Sequence, residues 1–230
     1  MRSVAIALFY RFAKLVIGLI LLVWTRKQVV GLKNVPRRGP VILASNHVSL
    51  LDAGLLPVVV PRRIVYMGKI ELFRTPIIGP LYKLAGFIPV RRFEGDLTAL
   101  RKAEEILRQN QVLGMFPEGT RSRKPGLGKG QPGTAMIGLR SGAPIVPVAV
   151  TGTEGVAVPR SFFRITRVRV VFGKPFELPK DRRLKTELVE QCTERIMKEI
   201  ALLLPEEYRG VYAELVANQS KGQTEGIGLT

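Results

Sequence analysis

The only histidine of this 230-residue chain, His47, follows an apolar run within the stretch SNHVSLLDAG, and Asp52 lies five positions after it. A carboxylate that binds one imidazole nitrogen fixes the tautomer and leaves the other nitrogen free to accept a proton. A helix N-terminus also disfavours the imidazolium and so keeps the base neutral. The pair therefore predicts an oriented general base, and a structural histidine bonded to a backbone carbonyl is the alternative.

The sequence lacks the G-x-S-x-G motif that presents a serine nucleophile, which argues against an α/β-hydrolase. Cys192 lies far from His47 in a predicted C-terminal helix, where it suits a packing role. A base alone is sufficient when the electrophile is already activated, as a thioester is, and the nucleophile is a substrate hydroxyl. The residues thus indicate direct acyl transfer to an alcohol.

Two further groups of polar residues follow predicted strands. They are Arg91 and Arg92, and the turn Glu118, Gly119, Thr120 and Arg121. Because sites in open α/β sheets form beyond the carboxyl ends of strands, we expect both groups to converge with His47. Arginine suits phosphate because its planar guanidinium binds two oxygens at once, and backbone N–H groups of a tight glycine turn can bind an anion. A solvated strand end and a simple turn are the alternatives.

The loop after this turn contains a misleading glycine pattern. Gly128, Gly130 and Gly133 match G-x-G-x-x-G, with Glu154 about twenty residues further on. The pattern follows a polar loop instead of a strand and contains Pro132, which argues against a dinucleotide site. The sequence leaves the role of Lys129 in this loop open. The single cysteine excludes an internal disulfide and a cysteine-based metal site.

Short apolar segments alternate with helical patterns from about residue 40 onward. Strands are predicted at 40–44, 64–67, 87–90, 112–116, 145–150 and 168–172, and helices at 50–60, 96–110, 134–139 and 184–204, with an interrupted helical region at 71–85. In the helix at 96–110, one apolar stripe contains Leu97, Leu100, Ala103 and Leu107. This order predicts an α/β domain over residues 31–216 with a mostly parallel sheet flanked by helices. A segment over 1–30 precedes it and a flexible tail over 217–230 follows.

Residues 4–24 are apolar except for Arg11 and Lys14. The clean run from Leu15 to Trp24 is half of the roughly 20 residues that a spanning helix needs. Each of the two charges would cost about 2–3 kcal/mol at the bilayer centre. We therefore expect a helix or a helical hairpin that lies in the membrane interface, with a tilted single span and a buried helix as alternatives.

The chain carries 36 Lys and Arg against 18 Asp and Glu, a net charge of +18. Such an excess attracts an anionic partner, which could be nucleic acid, an anionic membrane, a phosphorylated substrate or an acidic carrier protein. The sequence has no zinc-finger spacing, basic-zipper pattern or aromatic RNA-binding signature. Nucleic acid is therefore not expected as a partner.

Four segments together resemble the conserved blocks of the glycerolipid acyltransferases. NHVSLLD resembles their N-H-x-x-x-x-D motif, GFIPVRR is similar to a second block with Arg92 at the aligned arginine, FPEGTRS is similar to the third, and APIVPVAV to the fourth. The four blocks occur in the family order over residues 46–150. Within the family, the small size and the basic, apolar N-terminus most resemble bacterial 1-acylglycerol-3-phosphate acyltransferases.

The resemblance implies that His47 removes the proton from the acceptor hydroxyl and that Asp52 orients it. It implies an acceptor site in the second and third blocks, made of Arg92, Glu118, Gly119, Thr120 and Arg121. The implied co-substrate is acyl-CoA or acyl-acyl carrier protein, without a metal or an organic cofactor.

The expected reaction acylates the sn-2 hydroxyl of 1-acylglycerol-3-phosphate (lysophosphatidic acid) and gives phosphatidic acid, on the cytoplasmic face of the inner membrane with peripheral attachment. Glycerol-3-phosphate or another lysophospholipid is the alternative acceptor. A non-catalytic peripheral protein that binds anionic lipid is the alternative from another class.

Overall fold

A mostly parallel sheet forms the centre of the computed structural model, which describes residues 2–76, 78–91, 97–122, 126–156 and 165–218. Within these residues the sheet has seven strands in the order β1-β7-β6-β2-β5-β3-β4. The strands are β1 Thr25–Val30, β2 Val41–Ser45, β3 Ile64–Lys69, β4 Ile88–Val90, β5 Val112–Met115, β6 Ile145–Thr151 and β7 Thr166–Phe172. All neighbouring pairs are parallel except β6 and β7. The predicted fold class is confirmed.

Helices cover both faces of the sheet. They are α1 Arg2–Trp24, α2 Asp52–Val59, α3 Ile78–Ala85, α4 Leu97–Arg108, α5 Gly133–Ser141 and α6 Thr186–Leu203. One apolar core joins the sheet to α4, α5 and α6, and Cys192 is buried in it as predicted. A second core joins the other face to α1 and α2. The region predicted as an interrupted helix consists of a 3-10 helix, Ile70–Arg74, followed by α3.

The central strands owe their position to continuous apolar runs. All five residues of β2 are buried, because β5 and β6 pair with it on both sides and helices cover both sheet faces. In α4, Leu100, Ala103 and Leu107 are buried as predicted. Leu97, at the N-terminal end of the same stripe, is the one member that is not buried. Leu97 is 62 % exposed, because it is the first residue of the helix and lies at a cavity instead of in the core.

The edge strand β1 was not predicted. Its sequence, TRKQVV, carries two cations, and only Thr25 is buried. It pairs in parallel with β7, from Thr25 opposite Thr166 to Val30 opposite Val171. Charged side chains are common on edge strands because they discourage pairing with other chains. Residues 25–30 of the predicted N-terminal segment therefore belong to the sheet.

The N-terminal segment forms one continuous helix, α1, and not a hairpin. On its inner side, Lys14 Nζ donates to the carbonyl of Val60 at 3.0 Å, and Tyr10 Oη accepts from the N–H of Ile64 at 3.1 Å. Its outer side exposes an apolar stripe of Leu8, Phe12, Leu15, Val16, Leu19, Leu22 and Val23. Among the described residues, no helix combines the length and the apolar character that crossing a bilayer requires.

Three predictions fall outside the described part of the chain. Arg92, the arginine expected to bind phosphate, is one of these residues, as is Asp96 at the expected start of α4. Of the predicted tail, residues 217 and 218 are helical, and the residues from 219 onward also lie outside.

Candidate active site

His47 and Asp52 are in direct contact. His47 follows β2 at the carboxyl edge of the sheet, and Asp52 is the first residue of α2. Their Nδ1 and Oδ2 atoms lie 2.9 Å apart. The turn between them wraps around the carboxylate, because Oδ2 also accepts from the N–H groups of Val48 and Ser49 at 2.8 Å each. With Nδ1–H donating to the carboxylate, Nε2 keeps its lone pair and can accept a proton.

A fourth donor to the Asp52 carboxylate comes from the segment that follows β6. Thr153 Oγ1, in a 3-10 turn after β6, donates to Asp52 Oδ1 at 2.5 Å. Both side chains are fully buried. A buried carboxylate is tolerated when hydrogen bonds replace its lost water. Thr153 was not predicted as a site residue, since nothing in its local sequence distinguishes it from an ordinary turn threonine.

Asn46 attaches the histidine loop to the neighbouring strand. Its Nδ2 donates to the carbonyl of Val150 at 2.8 Å, and its Oδ1 accepts from the N–H of the same residue at 2.7 Å. This buried side chain thus pairs with β6 as a backbone peptide would. The direction in which the chain leaves β2, and hence the position of His47, is fixed by both bonds.

The Glu118 carboxylate accepts hydrogen bonds from the backbone of His47 and from the glycine loop. Its Oε1 accepts from the N–H of His47 at 2.9 Å, while Oε2 accepts from the N–H of Gly128 at 2.9 Å and from the Ser122 hydroxyl. The N–H of Ser122 in turn donates to the carbonyl of His47 at 2.8 Å. The structure therefore brings Glu118 to His47 as predicted, with a 95 % buried side chain whose oxygens both contact protein donors.

The rest of the third block surrounds this contact. Gly119 adopts a left-handed conformation with φ of 69°, and its N–H donates to the carbonyl of Phe116 at 2.9 Å. The prediction that this N–H is available to an anion is therefore wrong, because the turn itself uses it. Thr120 and Arg121 are exposed to solvent. A shallow cleft of about 390 Å³ beside the turn is lined by Glu118, Thr120, Ser122, Gly126, Gly128, Lys129 and Gln131.

A larger apolar cavity of about 420 Å³ opens at His47. It lies between the carboxyl ends of the strands and the helices α4 and α5, and Arg91 also lines it. Its apolar side chains are Met67, Val90, Leu97, Leu100, Met115, Phe116, Met136 and Ile137. The His47 side chain is 12 % exposed, so protein atoms cover most of the imidazole and the rest of it faces this cavity.

An aromatic stack covers one face of the imidazole. The Phe116 ring lies parallel to it, with centroids 4.0 Å apart and an interplanar angle of 17°. The Tyr66 ring follows on the other side of Phe116 at 5.7 Å and 7°. Burial raises the pKa of the Tyr66 phenol well above its usual value, so this ring stays neutral. Neither aromatic residue was predicted as part of the site.

Residues 26–151 match the family model described as Acyltransferase. The chain belongs to the acyltransferase family. The matched range contains the residues described above that contact His47, while Thr153, which contacts Asp52, lies two residues beyond it. The resemblance deduced from the four sequence blocks is thereby confirmed at the level of the family.

Several acyltransferases are similar over most of this chain. The 1-acyl-sn-glycerol-3-phosphate acyltransferase BAT2 of Brassica napus chloroplasts is 30 % identical over 174 residues, which are 73 % of this chain and 50 % of that protein. The chain thus spans about half the length of this relative. The 1-acyl-sn-glycerol-3-phosphate acyltransferase of Bacillus subtilis (strain 168) is 28 % identical over 195 residues, 81 % of this chain and 94 % of its own length.

The fold is also similar to that of a solved acyltransferase. The crystal structure of the 1-acyl-sn-glycerophosphate (LPA) acyltransferase PlsC from Thermotoga maritima matches with a TM-score of 0.63 and 25 % identity. The match covers 88 % of this chain and 80 % of that one. This acyltransferase therefore shares its fold with that protein over most of the length of both chains.

Proposed function

We propose that this acyltransferase transfers a fatty acyl group from an acyl thioester to the sn-2 hydroxyl of 1-acylglycerol-3-phosphate, forming phosphatidic acid. The observation that carries the proposal is the His47–Asp52 hydrogen bond at the mouth of an apolar cavity. The Brassica, Bacillus and Thermotoga relatives are named for this acceptor, which supports the proposal. Acylation of glycerol-3-phosphate or of another lysophospholipid would use the same base and is the alternative to be tested.

His47 acts as the general base. Its Nε2 takes the proton of the acceptor hydroxyl while the hydroxyl oxygen attacks the thioester carbonyl, and a tetrahedral intermediate forms. The C–S bond then breaks, and the departing sulfur takes the proton from Nε2, so that ester, thiol and neutral histidine result. Asp52 holds the tautomer and stabilises the transient imidazolium. General base catalysis of this kind contributes typically about 10²–10⁴-fold to the rate.

The acyl chain of the donor occupies the cavity of about 420 Å³. Apolar side chains dominate its lining, and His47 lies at one end, which suits a chain whose thioester carbon must reach the base. Burying methylene groups is favourable by about 0.8 kcal/mol each. Both acyl-CoA and acyl-acyl carrier protein fit this arrangement, since they share the acyl thioester and the phosphopantetheine arm.

The acceptor phosphate binds near the shallow cleft beside the third block. Arg121 is exposed on the turn there, and Thr120 lines the cleft. Arg92 is expected to contribute from the second block, and Gly119 to shape the turn. Arginine binds phosphate oxygens bidentately. For Glu118, the contacts to His47, Ser122 and Gly128 support a role through the loop that it holds, and not through direct contact with the acceptor.

The protein associates with an anionic membrane surface through α1. The outer stripe of this helix is apolar from Leu8 to Val23, while Lys14 points inward to the carbonyl of Val60. Arg11 stays exposed, where its long side chain can reach lipid phosphates. The net charge of +18 favours the anionic cytoplasmic leaflet of the inner membrane. This geometry supports peripheral attachment in the interface.

Product analysis tests the function. Purified protein is incubated with acyl-CoA or acyl-acyl carrier protein and with a panel of lysophosphatidic acid, other lysophospholipids and glycerol-3-phosphate, and products are identified by mass. We expect phosphatidic acid from lysophosphatidic acid as the main product. A preference for another acceptor overturns the assigned substrate, and membrane binding without any acylated product favours the non-catalytic alternative.

The variant His47→Ala tests the base separately. It should lose acyl transfer by at least about 10²-fold while its circular dichroism spectrum and its binding to vesicles stay unchanged. Full activity in this variant contradicts the assignment of His47 even if the substrate is correct.

A further inference from the structure

The geometry at His47 points to Phe116 as a positioning residue for the catalytic base. We propose that the Phe116 ring fixes the plane of the imidazole and stabilises its protonated form during acyl transfer. This inference rests on the proposed role of His47. The ring centroids lie 4.0 Å apart at an interplanar angle of 17°, and both side chains line the apolar cavity.

Two contacts on different sides restrict the imidazole. Asp52 holds the Nδ1 edge at 2.9 Å, and this hydrogen bond alone leaves the ring free to tilt about the line between the two side chains. The parallel Phe116 ring removes that freedom by covering one face. Nε2 is then the polar atom of the ring left to meet the acceptor hydroxyl. A small misplacement of a base can cost about 10²-fold in rate.

Phe116 is itself supported from behind. Its position directly after β5 places it next to the fully buried Tyr66 of β3, whose ring is parallel to it within 7°. Tyr66 lies this close to β5 because the neighbouring strand residue is Gly114, where an added Cβ would come within 2.3 Å of Tyr66 Cε1. A glycine in the middle of a strand is otherwise unfavourable, so its presence here has a packing reason.

The stack also has an electrostatic consequence. When Nε2 accepts the proton, the imidazole becomes a cation over the negative face of an aromatic ring, and this contact is attractive within about 6 Å of the centroid. Because the His47 side chain is only 12 % exposed, the attraction is stronger than at an exposed site. Phe116 therefore stabilises the charge that forms in the transition state, and the neutral base gains less from it.

Other charged or titratable groups surround the same ring and act together with the stack. Asp52 from α2 contacts Nδ1, Glu118 after β5 contacts the His47 backbone, and Arg91 after β4 lines the cavity. Tyr66 from β3 stays neutral because of its burial. A substitution of Phe116 by another uncharged residue leaves these groups in place, so its effect on the pH profile reports on the ring alone.

The test compares Phe116→Leu, which removes the ring, with Phe116→Tyr, which keeps it. In Phe116→Leu we expect kcat/KM on the pH plateau to fall about 3- to 30-fold and the acidic limb of the profile to move to lower pH, because the protonated imidazole loses the attraction of the ring. In Phe116→Tyr both should return towards wild type. Phe176→Leu is the matched control, since this partly buried phenylalanine lies outside the cavity lining.

Because the chain has one histidine, proton NMR reports on the stack without any assay. The ring current of Phe116 should shift the His47 carbon-bound proton signals upfield in the wild type and in Phe116→Tyr, and this shift should be lost in Phe116→Leu. An unchanged histidine signal in Phe116→Leu overturns the stacked geometry, and the absence of any Tyr rescue overturns the role of the ring.

The two proposals can fail separately. If His47→Ala is inactive and Phe116→Leu keeps the wild-type pH profile and plateau rate, only the role of Phe116 is wrong. If His47→Ala is fully active, the base assignment is wrong, and the NMR shift still decides whether the two rings stack.

Discussion

The backbone N–H of His47 donates to Oε1 of Glu118 at 2.9 Å, which joins residues 71 positions apart in the chain. The second oxygen of the same carboxylate accepts from Gly128 and Ser122. The catalytic loop, the turn of the third block and the glycine loop therefore share one buried anchor. We therefore propose that Glu118 positions the loop that carries His47 through its backbone.

The variant Glu118→Gln separates this role from direct binding of the acceptor. The amide keeps one acceptor oxygen and turns an NH₂ group towards one of the existing donors, so His47 should shift. We expect kcat to fall about 100-fold with the KM for the acceptor within a few-fold of wild type. A large rise in KM with unchanged kcat would mean that Glu118 binds the acceptor itself. Glu105→Gln, on the exposed side of α4, is the control for loss of one negative charge.

The hydroxyl of Thr153 is needed to keep Asp52 in place. Thr153→Val preserves the shape of the side chain but leaves Asp52 Oδ1 without this donor. We expect the free energy of unfolding to drop by about 1–3 kcal/mol and kcat to drop about 10-fold. Thr153→Ser keeps the donor and should stay close to wild type in both measurements. Equal behaviour of the Val and Ser variants would contradict the role of the hydroxyl.

Introducing one negative charge into the outer stripe of α1 should weaken membrane binding. Phe12 is 63 % exposed, and Phe12→Glu replaces an apolar contact worth about 1.5–3 kcal/mol with an anion. Partition into vesicles of phosphatidylcholine and phosphatidylglycerol, measured by sedimentation, should fall at least about 10-fold. Val211→Glu adds the same charge at a residue of similar exposure, 69 %, outside α1, and should have little effect. Equal loss in both variants would indicate charge repulsion alone.

Tyr208 should make stability depend on pH in the alkaline range. Burial, with the nearby Glu154, raises the pKa of Tyr208 from 10.0 to about 12, and its hydroxyl donates to the Glu154 carboxylate. Because the folded state holds this proton more tightly, the contribution is complete below pH 10 and is lost as the pH rises towards 12. Tyr208 is only partly buried, so the loss should stay below about 1 kcal/mol. Urea unfolding at several pH values should show a smaller decline for Tyr208→Phe, and an identical decline would contradict the linkage.

The sequence predicted those elements whose formation is determined by their own local residue pattern. The continuous apolar runs of β2 and β6 and the apolar stripe of α4 indicate burial against neighbouring elements. The five-residue spacing of His47 and Asp52 indicates that one turn at the start of a helix brings the two side chains together. Strand β1 was missed because its residues are polar and its position depends on pairing with β7, more than 130 residues away. Thr153 and Phe116 were missed for the same reason, since their roles depend on contacts across the sheet and not on their own sequence context.

Helix α2 contacts both the candidate active site and α1. It begins with Asp52, which binds the His47 ring, and the carbonyl of Val60 immediately after it accepts from Lys14 of α1. Along its eight residues, α2 packs directly on α1: Gly54 faces the Ile17 side chain, and Val58 faces Gly18. Because α1 is the proposed membrane-attachment helix, this packing holds the proposed base at a fixed position relative to the lipid surface.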